Sequence, residues 1–287
     1  MSLPVGNDKC RSEFNDGLAH VAGHLNSHLA REAEWLGLIE SGVGNSDGCM
    51  RSLTAQAIAV SLVSWFRDHD LAVCKQAAYV SAKIDRIRQQ ASSWQVAGNS
   101  LVFNLFSSWT WLVSDCEPLI EWRTRFEPFR GLTGEEKRPK DIHKTYFDEM
   151  FVGYQLTLAL RRDWQRLGER TEHWLAEPPS TLKKMTPDMR FFLALAKGDV
   201  AGMEAALAEI VTPKQRRWRE NWQGGYTGRL MSEEAVVYAK LAWRNGYQVD
   251  VDTPYIPKAW LPVSPLQEYT DPYDFMREFD IWQPLPE

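Results

Sequence analysis

Three histidines at helical spacing are the first residues in the sequence that could carry chemistry. His20, His24 and His28 recur every four residues, so on a helix they share one face, where a neighbouring pair can chelate a metal ion. At about 100° per residue, that face lies opposite the leucine stripe expected to be buried. A catalytic metal also needs a recessed setting with supporting hydrogen bonds. We therefore expect a solvated polar face here and no metal.

The dipeptide His69-Asp70 is the second candidate. Metal-dependent phosphohydrolases of the HD type use such a pair in an all-α fold, with an upstream histidine and a later aspartate. Here His28 and Asp115 would have to complete the metal site. The pair falls in a turn between two predicted helices, where both residue types are common. An HD-like metal hydrolase is kept as an alternative, which metal analysis of the purified protein would test.

Two segments combine arginines with aromatic residues: RRDWQRLGER at 161–170 and KQRRWRENW at 214–222. Such segments can bind single-stranded nucleic acid by charge and stacking, or their arginine stems can pack over tryptophan rings. The net charge of −5 favours packing, because nucleic-acid-binding proteins usually carry a basic excess. We expect no direct nucleic-acid binding. A helical nucleic-acid-binding or regulatory module remains the second alternative, which salt-dependent binding to single strands would test.

The rest of the sequence shows no catalytic signature. It contains no Walker A loop, no dinucleotide-binding glycine motif, no nucleophile elbow and no HExxH motif. No apolar run is long enough to cross a membrane, and the first residues do not resemble a secretory signal. The four cysteines form no CxxC pair and are typical of a reducing compartment. These features predict a cytoplasmic protein that is not an enzyme and needs no cofactor.

Apolar residues recur at intervals of three to four along the chain, which predicts an all-α fold. We expect a bundle of antiparallel helical hairpins with no significant sheet. The stripe from Leu18 to Leu36 predicts one long first helix, and the block from Leu53 to Phe66 a largely buried second one. In a third helix, from about Leu71, the lysines and arginines lie largely off the apolar face. Residues 1–287 are read as one domain, with a candidate internal boundary at residues 131–140.

Turn residues punctuate the second half of the chain. Thr186 precedes a proline and an early acid, which predicts that it caps a helix ending near Gly198. Asp199 is expected to cap the next helix, and Thr212 the one after it. Apolar residues between prolines then predict that Tyr255, Ile256, Pro257 and Trp260 anchor an extended C-terminal segment on the bundle.

Negative charge is concentrated near the C-terminus. Residues 248–287 contain eight acids and two bases, a net charge of −6, whereas the preceding residues sum to +1. Such a segment is either a solvated tail or a surface that meets a basic partner.

The order of elements in this region resembles a known family. A hairpin around residues 196–199 is followed by the helix MSEEAVVYAKLAWRNG, at 231–246, and by VDVDTPYIPKAWLP, at 249–262. The helix carries Glu-Ala near its start, and the acidic extended segment after it carries a Pro-Tyr-x-Pro step. This order of elements resembles the immunity protein 49 family of bacterial polymorphic-toxin and type VI secretion systems. In immunity proteins of polymorphic nuclease toxins, a helical glutamate also precedes a lysine by six residues, as Glu234 precedes Lys240 here.

The resemblance covers the chain from about residue 180 onward. It implies an all-α cytosolic protein that binds one cognate toxin and neutralises it by stoichiometric occlusion, without catalysis. The toxin class is expected to be a basic nuclease-type domain, because acids of the inhibitor can lie where phosphates would bind.

Charge and aromatic content suggest where such a toxin would bind, since acids steer basic partners and aromatic residues anchor interfaces. The expected toxin-binding residues are Asp250, Asp252, Glu268, Tyr269, Asp271, Tyr273, Asp274, Glu278, Asp280 and Trp282. Asp271 is also expected to cap a short last helix.

Overall fold

The protein is described from a computed structural model, which covers residues 8–90, 105–125, 148–178, 180–220 and 227–283. Within these ranges the chain forms fourteen α-helices and two 3-10 turns, and no strand. The predicted all-α fold is therefore confirmed. The candidate boundary at residues 131–140 lies outside the described residues, so the single-domain interpretation stays a prediction.

The helices in chain order are α1 (Asp8–Leu29), α2 (Glu32–Ser41), α3 (Ser46–Phe66), α4 (Leu71–Arg88), α5 (Leu105–Ser114), α6 (Glu117–Thr124), α7 (Asp148–Arg161), α8 (Trp164–Ala176), α9 (Thr186–Lys197), α10 (Val200–Ile210), α11 (Pro213–Arg219), α12 (Thr227–Leu230), α13 (Glu233–Arg244) and α14 (Asp274–Arg277). The 3-10 turns span Ser180–Met185 and Lys258–Trp260.

Helices α3 and α4 form the centre of the first half. They pack along each other, α1 and α2 cover α3, and α5 packs on α4. In the second half, α8 packs on α9 and α9 on α10. Helix α13 lies against both α5 and α10, so it joins the two halves of the bundle.

The predicted single first helix is wrong, because the chain breaks between α1 and α2. The break places Trp35 in the core at 6% exposure, while Leu29, a member of the predicted apolar stripe, is 49% exposed. Burying the larger indole ring outweighs continuing the leucine stripe.

Two of the four predicted caps are present. The side chains of Asp199 and Thr212 accept hydrogen bonds from backbone amides at the starts of α10 and α11. The predicted cap at Thr186 is wrong. Its hydroxyl instead donates to the carbonyl of Lys183, because the 3-10 turn runs directly into α9.

Gly198 ends α9 in the left-handed region, at φ 68°. A Cβ atom there would also lie 3.0 Å from the hydroxyl of Tyr247, so glycine suits both the turn and the packing. Across the described ranges, no helix has the length and apolar character needed to cross a membrane.

Candidate functional site

The C-terminal strap, residues 249–283, is the segment that carries all ten predicted binding residues. Apart from the 3-10 turn at Lys258–Trp260 and the short α14, it has no regular structure. It runs across the bundle and contacts α13, α5, α4 and α2 in turn through the side chains described below. Its course is therefore fixed by contacts with helices rather than by secondary structure of its own.

Trp260 is the main apolar anchor of the strap. Its side chain is 0% exposed, and its ring stacks on Trp109 with 5.6 Å between centroids and 10° between planes. Trp65 meets the same ring edge-on at 6.1 Å. Ile256 is also buried, at 4% exposure. The predicted anchoring of this segment is confirmed.

A buried group of charges lies beneath the strap. The carboxylate of Asp115, which is wholly buried, accepts hydrogen bonds from the ammonium groups of Lys75 at 2.7 Å and Lys240 at 2.8 Å. Arg244 lies 3.5 Å from the same carboxylate and forms a closer ion pair with the exposed Glu117, at 2.7 Å. Burial lowers the pKa of Lys240 to about 8, although the Asp115 carboxylate acts in the opposite direction.

The remaining donors of the two lysines bind backbone carbonyls of the strap. Lys240 donates to the carbonyls of Trp260 at 2.9 Å and Pro262 at 2.8 Å. Lys75 donates to the carbonyl of Ser264 at 2.5 Å, and the amide of Ser264 donates to Asp115 at 3.1 Å. The carbonyls of three alternate strap residues therefore accept hydrogen bonds from this charge group.

Further along, the strap crosses α4. The side-chain amide of Gln76 makes two hydrogen bonds with the backbone of Thr270, at 2.6 and 3.1 Å. The guanidinium of Arg86 donates to the carbonyls of Ile281 and Gln283, at 3.1 and 2.6 Å. Arg86 also stacks on Trp122, with 3.8 Å from the guanidinium carbon to the ring centroid.

The basic residues that the sequence places largely off the apolar face of α4 are all buried, and they are Lys75, Lys83, Arg86 and Arg88. The strap, which local periodicity does not reveal, binds the first three of them. Arg88 instead pairs with Asp47 of α3. Desolvation lowers the pKa of Arg86 to about 10.

Three of the predicted toxin-binding residues form hydrogen bonds that hold the strap on the bundle. Asp271 accepts hydrogen bonds from Tyr79 at 2.8 Å and Lys83 at 2.6 Å, and its predicted capping role is wrong. Tyr273 donates to Glu32 of α2 at 2.6 Å. Tyr269 donates to the carbonyl of Ser114 at 2.6 Å. All three side chains are half-buried.

The other predicted binding residues are exposed along the strap, and they are Asp250, Asp252, Glu268, Asp274, Glu278, Asp280 and Trp282. Asp250 pairs with Lys258 at 2.5 Å, and Asp274 with Arg277 at 2.6 Å. Arg125 lies over the ring of Trp282, 4.6 Å from its centroid. The strap therefore presents a row of carboxylates and one indole ring to solvent.

A second buried charge group joins α9, α11 and α13. Asp188 binds the guanidinium of Arg219 through both oxygens, at 2.6 and 3.1 Å, and accepts a hydrogen bond from the hydroxyl of Tyr238 at 2.8 Å. Glu234 lies 3.5 Å from the same guanidinium. Although burial lowers the pKa of Arg219, the two carboxylates outweigh it and raise that pKa.

Glu233 lies next to this group and has a different environment. Its side chain is buried, and its Oε2 atom has no hydrogen-bond partner. Burial, and next the charge of Glu234, raise the pKa of Glu233 well above its ordinary value. Glu234, rather than Glu233, is the member of this pair that lies beside the guanidinium of Arg219.

Three of the four residues of the hydrolase alternative bind other groups in the structure, and His69 is exposed. Asp70 caps α4 by accepting a hydrogen bond from the amide of Val73 at 2.9 Å. Asp115 is neutralised by the two lysines, and the ring of His28 is within hydrogen-bond distance of the carbonyl of Ser52, at 3.1 Å. His20 and His24 are exposed. Among the described residues, no group of three or more potential ligands could hold a metal ion.

The arginine-aromatic segments pack within the fold, as expected. Arg216 lies over the ring of Tyr255 in the strap, 3.2 Å from its centroid, and donates to the carbonyl of Gly228. Arg166 and Arg170 both lie over the ring of Tyr154. Arg219 is buried, and Arg161, Arg170 and Arg216 are half-buried, whereas Arg162, Arg166 and Arg217 are exposed.

One comparison relates this geometry to known proteins. Residues 155–260 match the model of a family described as immunity protein 49. Neither a curated protein nor a solved structure shows significant similarity to the chain. The matched segment contains Asp188, Arg219, Glu234 and Lys240, and it ends at the buried Trp260. The glutamate and lysine that carry the sequence resemblance therefore lie in buried charge groups rather than on the surface.

Proposed function

We propose, from the confirmed similarity of residues 155–260 to the immunity protein 49 family, that this protein is a cytoplasmic immunity protein. It binds a cognate secreted antibacterial toxin and neutralises it by stoichiometric occlusion, without catalysis. The single observation that carries the proposal is the family match. The setting is competition between bacteria through a polymorphic-toxin or type VI secretion system, in which the protein protects the cell that makes the toxin.

The exposed row of strap carboxylates supports a basic toxin as the partner. Asp252, Glu268, Glu278 and Asp280 are exposed and form no ion pair within the described ranges. Their charge is therefore available to a partner's lysines and arginines, which raises the rate of encounter. A nuclease-type toxin domain, which binds phosphates with basic residues, is the class that fits this surface.

The direct test is protection of cells. We expect a neighbouring gene to encode a large secreted protein, and its C-terminal domain is the toxin to use. Cells expressing that domain should survive only when this protein is co-expressed, and the purified pair should form a one-to-one complex. A nanomolar dissociation constant, about −12 kcal/mol, is expected. Absence of both protection and complex formation with a folded protein would refute the proposal.

Charge reversal locates the binding surface. The triple variant Asp274→Lys, Glu278→Lys, Asp280→Lys should slow association with a basic toxin by at least about tenfold at low salt, since these acids are exposed and steer encounter. Stopped-flow association at two salt concentrations measures the effect, which salt should reduce.

The matched control has the same change in net charge at exposed acids outside the strap: Asp16→Lys, Glu169→Lys, Glu220→Lys. It should alter the association rate much less than the strap variant. If both triple variants slow association equally, only net charge matters. The strap would then not be the interface, although protection by the wild-type protein would still support the immunity role.

A further inference from the structure

The charge group under the strap has more ammonium N–H donors than the single carboxylate of Asp115 accepts. Two ammonium groups share the single buried carboxylate of Asp115. An ammonium group has three donors, and a buried one is costly unless each donor finds an acceptor. For Lys240 those acceptors are Asp115 and the carbonyls of Trp260 and Pro262. The strap backbone therefore replaces the water that these lysines would otherwise bind.

The spacing of the acceptors explains how the strap is held in one register. Trp260, Pro262 and Ser264 contribute carbonyls at alternate positions. Trp260 ends the 3-10 turn and Leu261 has helical backbone angles, so the turn and the bend after it direct these carbonyls toward the lysines. Sliding the strap by one residue would move the carbonyls away from the lysines and leave the two buried ammonium groups with Asp115 as their remaining acceptor. Backbone carbonyls provide this contact whatever side chains the strap carries.

The position of this contact along the strap links it to the exposed acids. It follows directly after the anchor Trp260 and precedes the segment 268–282, which carries Glu268, Glu278 and Asp280. Beyond it, Gln76 and Lys83 of α4 bind Thr270 and Asp271. The hydrogen bonds to the two lysines are thus the first polar contacts that hold the strap between the buried Trp260 and the acidic segment.

We infer that Lys75 and Lys240, held on Asp115, form a latch that fixes the register of strap residues 260–264 and so positions the acidic segment for its partner. Lys75 and Lys240 are positioning residues, because they do not face the partner themselves. The binding role of the acidic segment rests on the proposed function. The latch does not, since it is a property of the protein alone.

Hydrogen exchange on the protein alone tests the latch. In a Lys240→Met variant, strap amides from residue 261 to 270 should exchange at least about tenfold faster than in the wild type, including the amide of Ser264 that donates to Asp115. Amides of α3 and α9 should keep their protection. Lys258→Met, which removes an exposed strap lysine paired with Asp250, should leave the exchange of residues 261–270 unchanged.

A second variant separates the latch from a general loss of stability. Lys75→Met combined with Asp115→Asn and Lys240→Met removes the two buried ammonium groups together with the carboxylate that they share, so no buried lysine is left without its charge partner. Its strap should still exchange faster while the helices remain protected. Wild-type strap exchange in either folded variant, or equal acceleration of strap and helices in both, would overturn the latch.

Measuring toxin association with the same variants distinguishes the latch from the proposed binding surface. If the strap exchanges faster and toxin association slows, both stand. If the strap exchanges faster and association is unchanged, the latch stands and the proposed binding surface fails.

Discussion

Replacing Trp260 by alanine is expected to lower the free energy of unfolding by about 3–5 kcal/mol, the usual cost of deleting a large buried aromatic side chain. The ring has no exposed surface and contacts the rings of Trp109, Trp65 and Phe66. Its loss would leave a cavity where the strap enters the core. Chemical denaturation followed by circular dichroism measures the change, and limited proteolysis should cleave the strap earlier in the variant.

Trp282→Ala is the matched control, because it removes the same side chain from the exposed end of the same strap. Trp282 is 41% exposed and contacts the guanidinium of Arg125. Its replacement should change stability by less than about 1 kcal/mol. Equal losses from the two replacements would contradict the assignment of Trp260 as the anchor.

The second large effect is expected from Asp188→Asn. The change keeps the shape of the side chain but leaves the buried guanidinium of Arg219 with only Glu234, at 3.5 Å, as a charged partner. Removing one partner of a buried ion pair typically costs about 3–5 kcal/mol, because the other charge remains without water. The midpoint of urea unfolding should fall accordingly.

An exposed pair on the same helix supplies the control. Arg190 of α9 binds Glu209 of α10 at 2.9 Å, and both side chains are largely exposed. Glu209→Gln should lower stability by less than about 1 kcal/mol. Adding Arg219→Met and Glu234→Gln to Asp188→Asn removes the uncompensated cation together with its second carboxylate partner and should recover much of the loss. A triple variant less stable than Asp188→Asn alone would show that the cost does not arise from the buried charge.

Local signals in the sequence predicted much of the helical architecture. Apolar spacing identified the helices around Leu53–Phe66 and Leu71, and side-chain oxygens identified the caps at Asp199 and Thr212. These features depend on residues within one or two turns of each other. The anchor at Trp260 was also predictable, since a tryptophan between prolines in an extended segment needs a groove.

Long-range polar contacts were not predictable from the same signals. Asp115 lies 40 residues from Lys75 and 125 from Lys240 along the chain, and no periodic pattern connects them. A signal was nevertheless present, because Lys240 interrupts the apolar run AVVYAKLAW and Asp115 follows the apolar run of α5. A charged residue inside an apolar helix face indicates a buried partner elsewhere, although it does not identify that partner. The same limitation explains why the burial of the basic residues of α4 was not predicted.

The long sequence separation between the basic residues of α4 and the strap carbonyls that they bind affects the order in which the protein folds on the ribosome. Lys75 meets Ser264 across 189 residues, and Arg86 meets Gln283 across 197. The helix that carries both basic residues is synthesised long before the carbonyls that cover it. At about 5–20 residues per second, it waits roughly 10–40 s for them. During that interval its cations stay hydrated or bind other acceptors, so the acidic surface forms as the last step of maturation.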